Sequence, residues 1–332
     1  MNIRPLTLAA AIILSCGAPA QAARPPHHHA SADASNVDAL NAAAATPPLA
    51  VGARGPGVVR AQILLDRAWF SPGEIDGRFN DNLRRAVRAF QASRGLAVNG
   101  RVDTATWAAL DADNAPTFTH YRVTAKDAAG PFVRIPAPMM ARAQLKALDY
   151  ESLTEALSER FHVSPKLLRQ WNAKPPVTGA DLVVPELGSG AAPVVKAHSI
   201  RIDKSDRMLY VLDTEQRTLA AFPVSIGGPR DPLPIGAMKI ANEVTNPTFT
   251  YDPALLKTAP RSDAKVDIAA GPNNPVGNVW LGLSKPHWGI HGTPEPSRLG
   301  RAETNGCVHM TNWDARRLSM LVKPGFVVDV RE

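Results

Sequence analysis

The sequence has 332 residues, with 37 Lys and Arg against 30 Asp and Glu, which gives a net charge of +7 at pH 7. A basic surface could attract nucleic acid, but no arginine-rich run is interleaved with aromatic residues, so we expect no nucleic-acid binding. The two cysteines, Cys16 and Cys307, form no Cys-x-x-Cys pair, which argues against a thiol–disulfide enzyme.

The first 22 residues have the pattern of a secretory signal peptide. Arg4 precedes an apolar run at 6–14, and small residues end at Ala20-Gln21-Ala22. This apolar run is too short for a permanent membrane anchor, so we expect an exported protein of the periplasm or cell wall without a membrane span. A second interpretation is acylation of Cys16 as a lipoprotein, although the downstream Ala-x-Ala site fits better. Under both interpretations Cys307 is the only free thiol of the mature protein.

Residues 23–50 are rich in Ala and Pro and show no sustained hydrophobic period, which is typical of a flexible linker. The cluster His27-His28-His29 could bind a transition metal weakly. No cysteine or carboxylate cluster is close to it in the sequence, so we predict no metal site and no cofactor. If the chain is exported, its positive net charge favours contact with the anionic cell wall, which it meets before any nucleic acid.

Residues 51–112 show apolar residues at helical spacing in three segments, separated by turn regions. The motifs Asp76-Gly77-Arg78-Phe79, Ala86-Val87-Arg88-Ala89-Phe90-Gln91 and Thr106-Trp107 resemble the three-helix peptidoglycan-binding domain. This resemblance implies binding to glycan or stem peptide, while Phe79, Phe90 and Trp107 are expected mainly in the core.

Residues 113–147 are predicted to be a connector, with one short strand near Tyr121-Arg122-Val123.

Residues 148–187 resemble a lysin-motif module, in which two short helices pack on a two-stranded sheet and bind glycan. Ser164 followed by Pro165 predicts a helix start there. Gly and Ala in 188–196 indicate a further linker.

Residues 197–332 alternate between apolar strand patterns and turn residues, which predicts a mainly β domain closed into a small sandwich or barrel. A hairpin is expected from Ser199–Asp203 and Met208–Asp213. One helix is expected at Asn312–Leu321, with Arg316 and Arg317 facing solvent and Leu318 and Leu321 facing the core. The fold class is therefore a multidomain chain in which a mainly β domain follows small helical and α+β segments.

The stretch 287–312 contains Cys307, preceded by Gly306 and flanked by His291 and His309. A thiol needs a neighbouring base to act as a nucleophile near neutral pH, and histidine supplies one. A lone cysteine is more often a small buried hydrophobe. The density of glycine and proline nevertheless indicates a loop, where catalytic groups concentrate, so we predict a cysteine acyl-transfer site.

The segments Ile290-His291-Gly292-Thr293 and Thr304-Asn305-Gly306-Cys307-Val308, with Asn312 further on, resemble the signature of the L,D-transpeptidase catalytic domain. The resemblance implies a peptidoglycan stem peptide as substrate, Cys307 as nucleophile and His291 as general base and acid. It also implies that the Gly292 carbonyl orients His291, that Gly306 lies at the oxyanion site, and that substrate is contacted by Thr304, Asn305, His309 and Asn312. Two positions depart from the pattern, since Asn305 replaces the usual His and His309 the usual Arg.

Three functions remain open from the sequence. A transpeptidase would release D-alanine and transfer the acyl group to an amine of a second stem or of a cell-wall-linked protein. An L,D-carboxypeptidase would use the same acyl-enzyme with water as acceptor. A wall-binding protein with a decayed catalytic site is the third, because two signature positions have changed.

Overall fold

The structure is a computed structural model that describes Met1 and residues 37–42, 46–256, 259–260 and 262–332. The predicted signal peptide, the acylation alternative at Cys16, the His27–His29 cluster and most of the predicted linker 23–50 therefore lie outside the described residues. Apart from Met1, the described residues belong to one unit, Ser31–Glu332.

Three helices follow one another where the peptidoglycan-binding pattern predicts them. After α1 (Val37–Ala42) the chain forms α2 (Pro56–Arg67), α3 (Asp81–Ser93) and α4 (Thr104–Leu110). The side chains of Asn80 and Asp103 accept hydrogen bonds from backbone N–H groups in the first turns of α3 and α4, which fixes where these helices begin. Phe79, Phe90 and Trp107 are buried, as expected of core residues.

The middle segment forms four short helices and two strands. These are β1 (Phe118–Arg122), α5 (Ala125–Ala128), α6 (Met139–Arg142), α7 (Leu153–Arg160), α8 (Pro165–Trp171) and β2 (Asp181–Pro185). Strand β1 pairs antiparallel with β2, so one strand of this two-stranded sheet comes from the segment predicted as a connector. The Ser164 hydroxyl caps α8, and Pro165 occupies its first turn, as the sequence predicts.

The C-terminal part is mainly β, which confirms the predicted fold class. The strands are β3 (Ser199–Asp203), β4 (Met208–Leu212), β5 (Thr218–Pro223), β6 (Gly236–Thr245), β7 (Phe249–Tyr251), β8 (Val266–Ile268), β9 (Val279–Leu283), β10 (Gly289–His291), β11 (Val308–His309) and β12 (Val327–Arg331). Eight of them form one sheet in the order β11-β10-β9-β6-β12-β3-β4-β5. The order ends at β11 and β5, so the sheet is an open half-barrel and not the closed barrel that was one of the two predicted forms.

Helix α9 (Asn312–Leu321) has the predicted bounds, and the Thr311 side chain caps it by accepting from the Asp314 N–H. Leu318 packs into the main core beneath the sheet, with Leu321 partly buried against it. The prediction that Arg317 faces solvent is wrong. Arg317 is 6% exposed, because its guanidinium donates to the Asp66 carboxylate of α2 at 2.9 Å.

The helical segment lies directly on the eight-stranded sheet. Residues 69–71 extend the sheet beyond its edge strand β5, with the Ser71 N–H donating to the Ala221 carbonyl at 2.8 Å and the Ala221 N–H donating to the Trp69 carbonyl at 2.9 Å. Side chains of α2, α3 and α4 share one hydrophobic cluster with Met208, Tyr210 and Leu212 of β4. Because an uncovered edge strand invites pairing with other chains, this arrangement also protects β5.

Candidate active site

The two short parallel strands β10 and β11 bring together the segments that carry the predicted catalytic residues. Ile290 pairs with Val308 and His291 with His309. Cys307 directly precedes β11, two positions before His309, which pairs with His291. Side chains two positions apart in extended backbone share a face, so an extended conformation at Cys307 would put its thiol on the side of His309. Fifteen residues lie between His291 and Cys307 in the sequence, and the pairing of β10 with β11 brings the two ends of this stretch side by side.

His291 is almost completely buried and held in one orientation. Its Nδ1–H donates to the Gly292 carbonyl oxygen at 2.7 Å, which leaves Nε2 as the nitrogen able to accept a proton. Burial lowers the pKa of His291 from 6.5 to about 4, although the bond to Gly292 acts in the opposite direction. The Trp280 ring stacks on the imidazole, with ring centroids 5.3 Å apart. His291 is therefore an oriented imidazole that is neutral at neutral pH.

Cys307 is a half-buried free thiol. Its S–H donates to the His287 carbonyl oxygen at 3.6 Å. Burial raises the pKa of the Cys307 thiol, while backbone N–H groups of Gly289 and Cys307 favour the thiolate and lower it. Since the thiol pKa lies above its usual value and the imidazole pKa below, the resting pair is a neutral thiol and a neutral imidazole.

Gly306 has φ of 114°, a region that residues with a β-carbon rarely adopt. A β-carbon there would also lie 3.1 Å from the Trp288 ring. The Thr304 hydroxyl donates to the Cys307 carbonyl oxygen at 2.6 Å, so Thr304 braces the turn that carries the thiol. Asn305 is exposed beside it.

His309 lies against the base, with its ring centroid 4.3 Å from that of His291. Burial, together with the neighbouring His291, lowers the pKa of His309 well below its usual value. The residue that stands where the family signature has Arg is therefore uncharged near neutral pH. It supplies no positive charge to a substrate carboxylate.

The prediction that Asn312 contacts substrate needs correction. Asn312 is fully buried, and its amide N–H groups donate to the Glu159 carboxylate at 2.9 Å and to the Pro272 carbonyl at 3.0 Å. Its oxygen accepts from the Asn278 N–H at 3.3 Å. Asn312 therefore ties α9 to the loop around Gly292, where a β-carbon would lie 2.1 Å from the Asn312 Oδ1.

Sequence reasoning missed the aromatic walls of the site. Trp280 lies opposite His291 in the antiparallel pair of β9 and β10, and Trp288 packs against Gly306. The pairing register identifies Trp280 as a neighbour of His291, and a tertiary contact identifies Trp288 as a neighbour of Gly306; the sequence pattern specifies neither.

Among the described residues, no group of three or more His, Cys, Asp or Glu is arranged to hold a metal ion. In the same part of the chain, no helix is long and apolar enough to cross a membrane. The groups that the site offers for chemistry are the thiol, the imidazole and backbone N–H groups.

Comparisons with known proteins match two segments of the chain to family models. Residues 197–330 match the family model described as "L,D-transpeptidase catalytic domain", and residues 54–110 match the one described as "Putative peptidoglycan binding domain". The chain is 27% identical over 152 residues to the "Putative L,D-transpeptidase YkuD" of Bacillus licheniformis, covering 46% of this chain and 74% of that protein. It is 26% identical over 178 residues to the protein of the same name from Bacillus subtilis, covering 53% of this chain and 91% of that protein.

Two solved structures are also similar. One is the L,D-transpeptidase from Xylanimonas cellulosilytica, at 17% identity and a TM-score of 0.38, covering 86% of this chain and 99% of that chain. The other is the L,D-transpeptidase from Mycobacterium smegmatis, at 19% identity and a TM-score of 0.33, covering 41% of this chain and 59% of that chain. On the family-model matches, residues 197–330 are an L,D-transpeptidase catalytic domain, the acyltransferase part of a chain that also carries a peptidoglycan-binding domain at residues 54–110.

Proposed function

We propose that the chain is an exported enzyme that cross-links peptidoglycan through a thioester on Cys307. The carbonyl attacked is that of the third residue of a tetrapeptide stem, and D-alanine is the leaving group. The observation that supports the proposal is the parallel pairing of β10 and β11, in which His291 pairs with His309, the residue two positions after Cys307. Activity depends on this pairing because a nucleophile and its base must be within reach of each other.

In the first step the Cys307 sulfur forms a bond to the stem carbonyl carbon while its proton moves to Nε2 of His291. The Gly292 carbonyl, which already accepts the Nδ1–H, stabilises the imidazolium that forms. Backbone N–H groups near Gly306 and Cys307 hold the oxyanion. Collapse of the tetrahedral intermediate breaks the bond to D-alanine, whose nitrogen takes the proton from His291.

In the second step an amine attacks the thioester and gives its proton to His291, and the thiol leaves as Cys307 regains a proton. The acceptor is an amine of a second stem or of a protein bound to the wall. Thr304, Asn305 and His309 surround the thiol and are proposed to contact the bound stem. His309 does so as a neutral hydrogen-bonding group, in keeping with its lowered pKa.

The location proposed for this reaction is the periplasm or cell wall, reached through the signal peptide at 1–22. The match of residues 54–110 to a peptidoglycan-binding domain supports peptidoglycan as the substrate. Glycan binding by residues 148–187 would add a second wall contact.

The test is mass spectrometry of the purified protein after incubation with disaccharide tetrapeptides. Cross-linked dimers that disappear in Cys307→Ala support the transpeptidase. Tripeptides without dimers would replace it with the L,D-carboxypeptidase, in which water takes the acyl group. Unchanged tetrapeptides and no mass increase on Cys307 would leave only the wall-binding protein.

A further inference from the structure

The turn before Cys307 contains an Asn-Gly pair, Asn305-Gly306, and the sequence contains one other, Asn99-Gly100. Asparagine followed by glycine is prone to lose its side-chain amide, because glycine has no side chain to hinder attack by its backbone nitrogen. The two pairs have similar settings. In each, the asparagine is exposed and the glycine is buried with a positive φ, 114° at Gly306 and 68° at Gly100.

Hydrogen bonds restrain the reacting groups of Asn99-Gly100. The Gly100 N–H donates to the Gln91 side-chain oxygen at 2.9 Å. The Asn99 side-chain oxygen accepts from the Gln91 amide at 2.9 Å and from the Arg101 N–H at 2.8 Å, and its amide donates to the Asp103 carboxylate at 2.8 Å. The Gly100 nitrogen therefore cannot attack the Asn99 amide carbon unless several of these bonds break.

Asn305-Gly306 has no such restraint. Within the described residues, neither the side-chain amide of Asn305 nor the backbone N–H of Gly306 forms a hydrogen bond. The two reacting groups can thus approach each other without the loss of a native hydrogen bond. Of two pairs with the same sequence, one is restrained and the other, next to the thiol, is not.

The turn that carries Asn305 is also tightly packed. The Thr304 N–H donates to the Ile226 carbonyl at 3.0 Å, and the Thr304 hydroxyl donates to the Cys307 carbonyl at 2.6 Å. From the neighbouring segment, a β-carbon at Gly227 would lie 2.8 Å from the Gly306 Cα. An extra backbone carbon between positions 305 and 306 would therefore displace Cys307.

We propose that Asn305 is a site of spontaneous deamidation, and that its conversion lowers the reactivity of the Cys307 thiol. The Gly306 nitrogen forms a bond to the side-chain carbonyl carbon of Asn305, and the amide nitrogen leaves as ammonia with the proton of the Gly306 nitrogen. Water then opens the resulting cyclic imide, adding OH to a carbonyl carbon and H to the nitrogen. The products are aspartate or isoaspartate, whose main chain is one carbon longer, and water is the only co-reactant.

Both products change the surroundings of the thiol. Aspartate puts a negative charge two residues before Cys307, which disfavours the thiolate. Isoaspartate displaces Cys307, and a displacement on the order of 1 Å lowers kcat by about 10²-fold. The loss of enzymatic activity rests on the proposed function, whereas the deamidation itself does not.

The test follows the full chain during incubation at mildly alkaline pH. Peptide mapping by mass spectrometry gives the converted fraction of each asparagine. In the folded protein we expect Asn305 to convert at least about tenfold faster than Asn99, because Asn99 must first break hydrogen bonds. In urea, where neither pair is restrained, the two rates should be similar.

Two variants connect conversion to activity, and the activity of each protein is expressed relative to its own starting value. Wild-type activity should fall in step with the converted fraction of Asn305. Asn305→Gln should keep its starting activity, because the larger ring that glutamine would have to form closes more slowly. The matched control Asn99→Gln should lose activity at the wild-type rate.

The proposal is overturned if Asn305 converts no faster than Asn99 in the folded protein, or if activity persists after Asn305 has converted. A wild-type enzyme that forms no product at the start would contradict the proposed function instead. Alkylation of Cys307 by iodoacetamide then replaces activity as the readout. Its rate should fall as Asn305 converts, and an unchanged rate would overturn the proposal.

Discussion

The proposed reaction uses the Cys307 thiol, whose pKa is raised, and the His291 imidazole, whose pKa is lowered. Because burial lowers the pKa of His291 to about 4, its imidazole stays neutral down to that pH. We predict that kcat/KM for acylation falls on the acid side near pH 4 and not near the ordinary histidine value of 6.5. Stopped-flow acylation measured from pH 3.5 to 8 gives the profile. An acid limb near pH 6.5 would show that the imidazole is not desolvated as described.

Gly292 is a second residue whose identity the site requires. Its carbonyl orients His291, and a β-carbon there would lie 2.1 Å from the Asn312 Oδ1, a contact that real β-carbons do not make. We predict that Gly292→Ala lowers kcat by about 10²-fold, since small misplacements of a catalytic group have effects of that order.

The matched control for this substitution is Gly57→Ala. Its β-carbon would meet nothing closer than 3.6 Å, on Pro47, so neither activity nor melting temperature should fall. Steady-state kinetics of both variants decide the matter. An unchanged kcat in Gly292→Ala would mean that Asn312 yields without disturbing the carbonyl.

Among single residues, the sequence singles out candidate reactive groups more readily than residues whose role is packing. Cys307 and His291 stand out because their residue types and spacing are unusual. Asn312 and Arg317 were assigned to substrate and solvent, respectively, but both turn toward residues more than 150 positions earlier in the sequence, Glu159 and Asp66. A local pattern carries no information on such a distant partner.

At the scale of elements, helix α7 is connected to the candidate active site by a hydrogen bond to helix α9. The Glu159 carboxylate on α7 accepts hydrogen bonds from Asn312 and from the Tyr150 hydroxyl, each at 2.9 Å. Asn312 in turn packs on Gly292. Glu159 is thus a positioning residue, three contacts away from the imidazole.

We predict that Glu159→Ala destabilises the fold by about 1–3 kcal/mol, because it leaves buried donors without an acceptor, and that it lowers kcat more than it changes KM. Glu159→Gln should restore most of both, since its amide oxygen can accept from Asn312 and its amide N–H can donate to the Tyr150 oxygen. Thermal unfolding and steady-state kinetics measure the two effects, with the exposed Glu215→Ala as control. Equal loss of kcat in the Ala and Gln variants would point to a role for the negative charge itself.

Element bounds were predicted well where capping residues mark them. The helix at Asn312–Leu321 and the start of α8 at Ser164 and Pro165 follow from local hydrogen bonds within a few residues. The pairing of β1 with β2 joins residues about sixty positions apart. The sequence predicts one short strand near β1 but not its partner, because the partner is set by the tertiary fold.

For the whole molecule, the largest difference from the sequence-based picture is the packing of the domains. Amphipathic helices α2 to α4 predict one buried face, and that pattern is the same whether the domain stands alone or packs on another. In the structure its residues share a core with β4, and Trp69 enters the core of the catalytic sheet. Backbone hydrogen bonds also join Ile75 to His162 and Ser164. The peptidoglycan-binding domain is therefore part of the catalytic framework.

The buried pair of Asp66 and Arg317 joins these parts across the interface. Arg317 donates to the Asp66 carboxylate at 2.9 Å and to its backbone carbonyl at 3.1 Å. Although burial alone would raise it, the charges of Arg317 and His162 lower the pKa of Asp66 from 3.8 to about 2. The stabilisation that this carboxylate contributes is thus complete above pH 3.8 and is lost as the pH falls through about 2.

We predict that Asp66→Ala at pH 7 lowers the free energy of unfolding by about 3–5 kcal/mol, because it leaves the Arg317 cation buried without its main partner. The double variant Asp66→Leu/Arg317→Met should lose less than Asp66→Ala alone, since removing both charges removes the desolvation cost along with the attraction. Urea unfolding of the full chain, compared at one pH, measures both. The single variants Asp66→Leu and Arg317→Met complete the comparison, and if the double variant lost as much as these two added together, the two side chains would be energetically independent and their pairing would not stabilise the interface.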